Sequence, residues 1–195
     1  MVTTGLFDTL NFVAEALDDL QRPWALIGGL ATSTYVEPRF TRDIDIALSV
    51  DDDAEAESFL NDWMARGFVL DTVIEHDVSE RLATVRTYRA ASVTDIVVDL
   101  LFASSGIEPE IAAQARHIEI VPELVIPVAR PAHLFALKLL SVDPDTRRQD
   151  AIDLEFLSAL IVNDEHDAAR EAIQLITARG YNRGRDLNAL FDEYS

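Results

Sequence analysis

The chain has 195 residues, 49% of them apolar and 26% charged, and its 35 acidic against 16 basic side chains give a formal charge of −19. That imbalance weighs against extensive sequence-independent binding to nucleic acid, which needs many phosphate-neutralising side chains, but it is compatible with a nucleotide carried on a divalent cation or with a basic protein partner. With no cysteine, disulfides and thiolate metal sites are excluded, and with no apolar run near the ~20 residues of a membrane span and no signal-like N-terminus, the expectation is a cytoplasmic protein without a membrane partner.

In chain order, Leu6, Leu10, Val13, Leu17 and Leu20 recur at helical spacing and predict an amphipathic helix over 6–20. Pro23 ends it, and Trp24, Ala25, Leu26 and Ile27 form a short apolar strand. Gly28 and Gly29 turn the chain into a small-residue helix expected to stop near Pro38, after which residues 43–50 alternate as a second strand. Asp51, Asp52 and Asp53 are placed to cap a helix reaching about Arg66 and closed by Gly67. Strands at 68–74, 82–88 and 96–102, a short helix at 108–115 and a strand at 117–121 finish the sheet region, and helices follow at 132–140, 149–160, 165–179 and 187–194. The expected fold class is α+β: a small mixed, mostly antiparallel sheet flanked by helices in residues 1–122, with a C-terminal helical region in 123–195 that completes a cleft.

Three features carry chemistry. Gly28 and Gly29 stand at a strand-to-helix turn, where glycine lets the backbone approach a phosphate and the helix start offers unpaired amides, although such a pair also serves as a plain turn. Strand alternation sends Asp43 and Asp45 to one face and Ile44 and Ile46 to the other. Their carboxylates, ~6 to 7 Å apart at the backbone, can converge on hard cations, the alternative being a solvated strand face. Asp99 is surrounded by Val97, Val98, Leu100, Leu101 and Phe102, and a carboxylate in such a setting needs a cation, a metal or a hydrogen-bond network. Asp95 shares its parity but reads as a cap. Lys138, in an otherwise apolar helix, needs a specific partner. Arg147 is either a phosphate clamp or one half of a helix ion pair, and Asp150 and Asp153 read as partners of arginines. Arg39, Arg42, Arg81, Arg86 and Arg89 would provide a basic patch if they shared a face. The four histidines have no metal-ligand spacing, and Trp24 and Trp63 read as core.

Gly28–Gly29, thirteen residues, Asp43–Ile44–Asp45 and a later Asp99 together resemble the signature of the polymerase-β-like nucleotidyltransferase superfamily. The approach through Arg39, Thr41 and Arg42 is most similar to the abortive-infection and toxin–antitoxin (AbiEii-like) branch, which continues with a lysine helix and an Arg-x-x-Asp-x-x-Asp helix. Lys138 and the run Arg147, Asp150, Asp153 match these, so the resemblance spans about residues 24–155. One departure is that Leu30 follows the glycine pair where many relatives have serine, while Thr32 and Ser33 come later.

The resemblance implies a magnesium-dependent enzyme that moves a nucleoside monophosphate from a nucleoside triphosphate to a hydroxyl acceptor and releases pyrophosphate. Asp43, Asp45 and Asp99 would be its catalytic carboxylates and the ligands of two Mg2+ ions, with Mn2+ able to substitute. Gly28, Gly29, Thr41, Lys138 and Arg147 would contact the nucleotide. The acceptor implied is a tRNA or a protein, with a cognate antitoxin as partner. A small-molecule acceptor of the aminoglycoside type, or a binding module without turnover, are the alternatives.

Overall fold

The computed structural model describes residues 2–36, 41–76, 79–90, 96–142 and 148–194, with side chains omitted at 2–4, 148 and 149. Within them lie helices α1 (Val2–Asp19), α2 (Gly28–Thr32), α3 (Asp53–Ala65), α4 (Glu108–Ala113), α5 (Pro131–Ser141), α6 (Arg148–Ser158), α7 (Asp164–Ala178) and α8 (Leu187–Tyr194). The strands are β1 (Trp24–Ile27), β2 (Asp43–Leu48), β3 (Phe68–Glu75), β4 (Leu82–Arg89), β5 (Val97–Leu101), β6 (Arg116–Val121) and β7 (Leu124–Val128). They form one sheet in the order β3-β4-β5-β2-β1-β7-β6. Four of its pairings are antiparallel, and β2–β5 and β1–β7 are parallel. The expected α+β architecture, mostly antiparallel and flanked by helices, is the architecture found.

Local signals explain most boundaries. The stripe Leu6, Leu10, Val13 and Leu17 is buried against the sheet, as an amphipathic helix requires. The Asp52 side chain accepts from the Glu55 amide at 2.9 Å, an N-cap that starts α3. At the other end Gly67 takes a positive φ of +91° and donates to Met64 O, the left-handed close that glycine allows. Trp63 is fully buried, stacked on Phe68 with ring centroids 3.7 Å apart, and donates to Thr87 Oγ1.

Two expectations need correction. The helix after the glycine pair ends at Thr32, well short of Pro38, which lies outside the described residues. The hydroxyls of Thr32, Ser33 and Thr34 donate back to the carbonyls of Gly28, Gly29 and Ala31, local bonds that compete with helix propagation. The sheet also does not finish at Val121. A tight turn with Glu123 at φ +72° leads into β7, which pairs with β6 and inserts beside β1. Pro127 hides this strand in the sequence, because a residue without an N–H argues against an interior position. It is tolerated because the β1–β7 pairing is registered at Leu26 and Val128 alone.

The C-terminal helices pack on one another around Phe135 and Phe191, whose rings meet edge-on at 5.8 Å. A buried carboxylate ties them to the sheet. Glu165, at the start of α7, accepts from Arg116 of β6, from Arg130 and from the Ala132 amide at 2.9 Å. Among the described residues no helix is long and apolar enough to cross a membrane.

Removing that hub leaves the Ala132 amide without its acceptor and Arg130 without its innermost partner. Glu165→Ala is expected to lower stability by about 2–3 kcal/mol. Urea denaturation measures this, and a loss under ~0.5 kcal/mol, the range of ordinary surface substitutions, would show that the hub is dispensable.

Candidate active site

The site is built on strand register. β2 starts at Asp43, whose amide lies 3.3 Å from Thr41 Oγ1, and alternation then buries Ile44 and Ile46 in the core while Asp43 stays exposed and Asp45 half-buried. Parallel pairing places Asp45 opposite Asp99 of β5, and antiparallel pairing places Asp99 opposite Arg86 of β4. Directly paired residues share a sheet face, so Asp45, Asp99 and Arg86 form a row across three strands.

Gly28 closes the row from the other side. It leaves β1 with φ +67°, and a Cβ there would lie 1.9 Å from Asp45 Oδ2. The space beside the carboxylate exists only because this residue has no side chain. Gly29 follows in the first turn of α2, and both glycines line the same cleft as Thr41, Asp43, Asp45, Asp99 and Lys138. The cleft runs between the sheet and the C-terminal helices and has a volume of about 1080 Å³, ample for a nucleotide together with part of a second substrate.

Charge is unevenly compensated here. Asp99 is buried and bound by both its oxygens in a fork, from Arg86 Nε at 2.9 Å and Nη2 at 2.7 Å. Among the described residues no cation forks onto Asp45 in this way. Its pKa is raised from the ordinary 3.8 to about 7, first by burial and then by the charges of Asp99 and Asp43, with Lys138 and Arg86 acting weakly in the opposite direction. Lys138 reaches Asp150 Oδ1 at 2.6 Å and Asp153 Oδ2 at 2.9 Å across to α6. Both aspartates thus hold the lysine, and Lys138 has the specific partners that its apolar helix required, while the arginines expected beside them have side chains outside the described residues.

The remaining sequence candidates divide. Arg147, Arg39 and Asp95 lie outside the described residues. Of the five arginines proposed as a patch, Arg81 pairs with Asp53, Arg86 with Asp99, and Arg89 stacks over Phe12 at 3.9 Å. Arg86 and Arg89 point to opposite faces of β4 by alternation. What sequence reasoning missed is the fork itself. Its only signal was a buried carboxylate in one strand and a cation at a solvent-facing position of the neighbouring strand.

Among the described residues no group of three His, Asp or Glu side chains is arranged as a ready-made metal cage. Asp43 and Asp45 nevertheless suit a hard divalent cation, because the crowding that pushes Asp45 upward is what such a cation relieves. Asp99 has both oxygens on Arg86 and does not join them in this arrangement.

The family model described as "Nucleotidyl transferase AbiEii toxin, Type IV TA system" matches residues 12–193, and the chain belongs to that family. Among curated proteins none matches the sequence. The antigenic nucleotidyltransferase-like protein from Paracoccidioides brasiliensis is similar with a TM-score of 0.57 at 16% identity, over 97% of this chain and 93% of that one. The antibiotic-resistance factor ANT(2'')-Ia is similar with a TM-score of 0.50 at 17% identity, over 99% and 94%. At such identities the likeness is one of fold.

The raised pKa of Asp45 makes a stability prediction for the metal-free chain. The folded state prefers the neutral carboxyl, so this group's contribution is fully present below its ordinary value of 3.8 and is lost as pH rises through about 7. Asp45→Asn is expected to be more stable than the parent at pH 8 by about 1–3 kcal/mol, a range discounted for partial exposure. Near pH 4 the two should coincide. Thermal melts in chelator across this range test it, and a difference independent of pH would refute the assigned cause.

Proposed function

Starting from membership of the AbiEii family, we propose that the cleft transfers a nucleoside monophosphate from a nucleoside triphosphate to a hydroxyl acceptor, with Asp43 and Asp45 holding Mg2+. The observation that supports this most strongly is the buried Asp45 carboxylate set by strand register opposite Asp99, beside a glycine whose missing side chain leaves room at it. Bound Mg2+ supplies neutralisation of the triphosphate charge and acidifies the acceptor hydroxyl.

The chain's own groups do the rest. The amides at the start of α2, at Gly28 and Gly29, face the phosphates. Lys138 uses two of its three donors on Asp150 and Asp153 and directs the third towards the nucleotide. Thr41 orders the entry to β2 through its contact with Asp43. Arg147 takes the place of a further phosphate clamp in this reading. Asp99 completes the metal site or accepts the hydroxyl proton, in either role with an oxygen released from the Arg86 fork. The acceptor oxygen forms its bond to the α-phosphorus, the bond from that phosphorus to the bridging oxygen breaks, and pyrophosphate leaves.

The family description, a toxin of a type IV toxin–antitoxin system, supports a tRNA or a protein as acceptor and a cognate antitoxin as partner. A small hydroxylated antibiotic is the competing acceptor, and one assay separates them. Purified protein is incubated with Mg2+, each α-labelled nucleoside triphosphate and cell extract, and the labelled product is classed as RNA, protein or small molecule.

Asp43→Ala and Asp45→Ala should each lower transfer by at least about a thousandfold without loss of fold, since each removes a ligand to the charge-stabilising cation. Gly28→Ala should cost about a hundredfold, because the new methyl displaces the Asp45 carboxylate by an ångström or more. Label that survives in both aspartate variants would sink the assignment.

A further inference from the structure

Both oxygens of Asp99 accept from one guanidinium, whose charge opposes a second cation at that carboxylate. The fork is tight, at 2.9 Å and 2.7 Å. Its carboxylate end is buried, with the Asp99 side chain 12% exposed, whereas its guanidinium end is open, with the Arg86 side chain 47% exposed. The partner that can leave is therefore the arginine. A guanidinium at hydrogen-bond distance from both oxygens takes one lone pair of each and repels a divalent cation from the pairs that remain, so fork and metal compete for the carboxylate.

Resting on the nucleotidyltransferase reading above, we propose that Arg86 is a positioning residue that withholds Asp99 from the metal: the resting chain binds one divalent cation, through Asp43 and Asp45, and a second only when the Arg86 fork opens. Arg86 thus supplies, before substrate arrives, the positive charge that a second cation would otherwise bring to the three carboxylates. It also keeps Asp99 aimed, because a two-point fork fixes the plane of the carboxylate as a single contact does not.

Arg86→Lys provides the sharpest test, since lysine keeps the charge but has one nitrogen in place of a planar fork. Mn2+ binding to the nucleotide-free protein is followed by electron paramagnetic resonance and calorimetry, with circular dichroism to confirm folding. The wild type should bind one Mn2+ per chain. Arg86→Lys should take up a second, or bind about tenfold more tightly as a further carboxylate oxygen becomes available. Arg86→Gln should show a larger gain. The double variant Arg86→Gln/Asp99→Asn should return to one, which separates ligation by Asp99 from the general effect of removing a positive charge.

Two bound Mn2+ in the wild type, unchanged or weakened binding in both Arg86 variants, or a gain that persists in the double variant, would each overturn the role given to Arg86. Wild-type binding of Mn2+ that Asp43→Ala and Asp45→Ala leave untouched is a different failure. It would remove the metal site, and with it the transferase reading on which Arg86's role rests.

Discussion

Everything at the site depends on the parallel pairing of β2 with β5 and on its register. Neighbouring strands lie ~4.8 Å apart, so the register that sets Asp45 opposite Asp99 fixes two like charges side by side in a partly dry setting. A slip of β2 by one residue would send Asp43 and Asp45 into the core face, where Ile44 and Ile46 now sit. The core therefore enforces a repulsive arrangement that the carboxylates would not choose. Arg86 offsets it at Asp99 and Asp43 is exposed, whereas Asp45, pushed up first by burial and then by the charges of Asp99 and Asp43, has a pKa of about 7.

The helical region matters because it fixes α5 at both ends. At its start, Glu165 of α7 receives the Ala132 amide. At its finish, Arg185 donates to the carbonyl of Leu139 at 2.9 Å and to that of Val142, satisfying acceptors that a helix end leaves open. Between these anchors Lys138 has little freedom, and Asp150 and Asp153 draw its ammonium to the mouth of the cleft. The buried ion pairs are costly to form, but their product is a cation held over carboxylates that belong to a different layer of the fold.

Sequence pattern reached the elements whose signal is local. The continuous apolar run of β1, the alternation of β2, the Asp52 cap and the Gly67 close were all visible because neighbouring residues carry them. β7 was hidden by Pro127, whose tolerance depends on how few bonds β1 makes to that strand. The early end of α2 depended on hydroxyls whose choice between solvent and backbone is settled only in the fold. At the site, the face shared by Asp43 and Asp45 followed from parity alone. The Arg86–Asp99 fork did not, because the partner of a buried carboxylate is set by the register between strands thirteen positions apart, and composition holds no trace of it. Lys138 shows an intermediate case: its need for a partner was legible, and the identity of that partner was not.

The net charge of −19 poses the remaining question of how so acidic a chain would receive a triphosphate. Charges beyond a Debye length of about 8–10 Å are largely screened, so the distant surface matters less than the cleft. Among the described lining residues Asp43, Asp45, Glu75, Asp99 and Asp150 outnumber Lys138 and Arg183, so a bare triphosphate meets repulsion there. On the proposed reading the cation is then more than a catalytic aid: it reverses the sign of the field that the phosphates encounter. An acidic cleft of this kind selects the metal–nucleotide complex over the free nucleotide, and it does so with the same two carboxylates that the sheet register forces together.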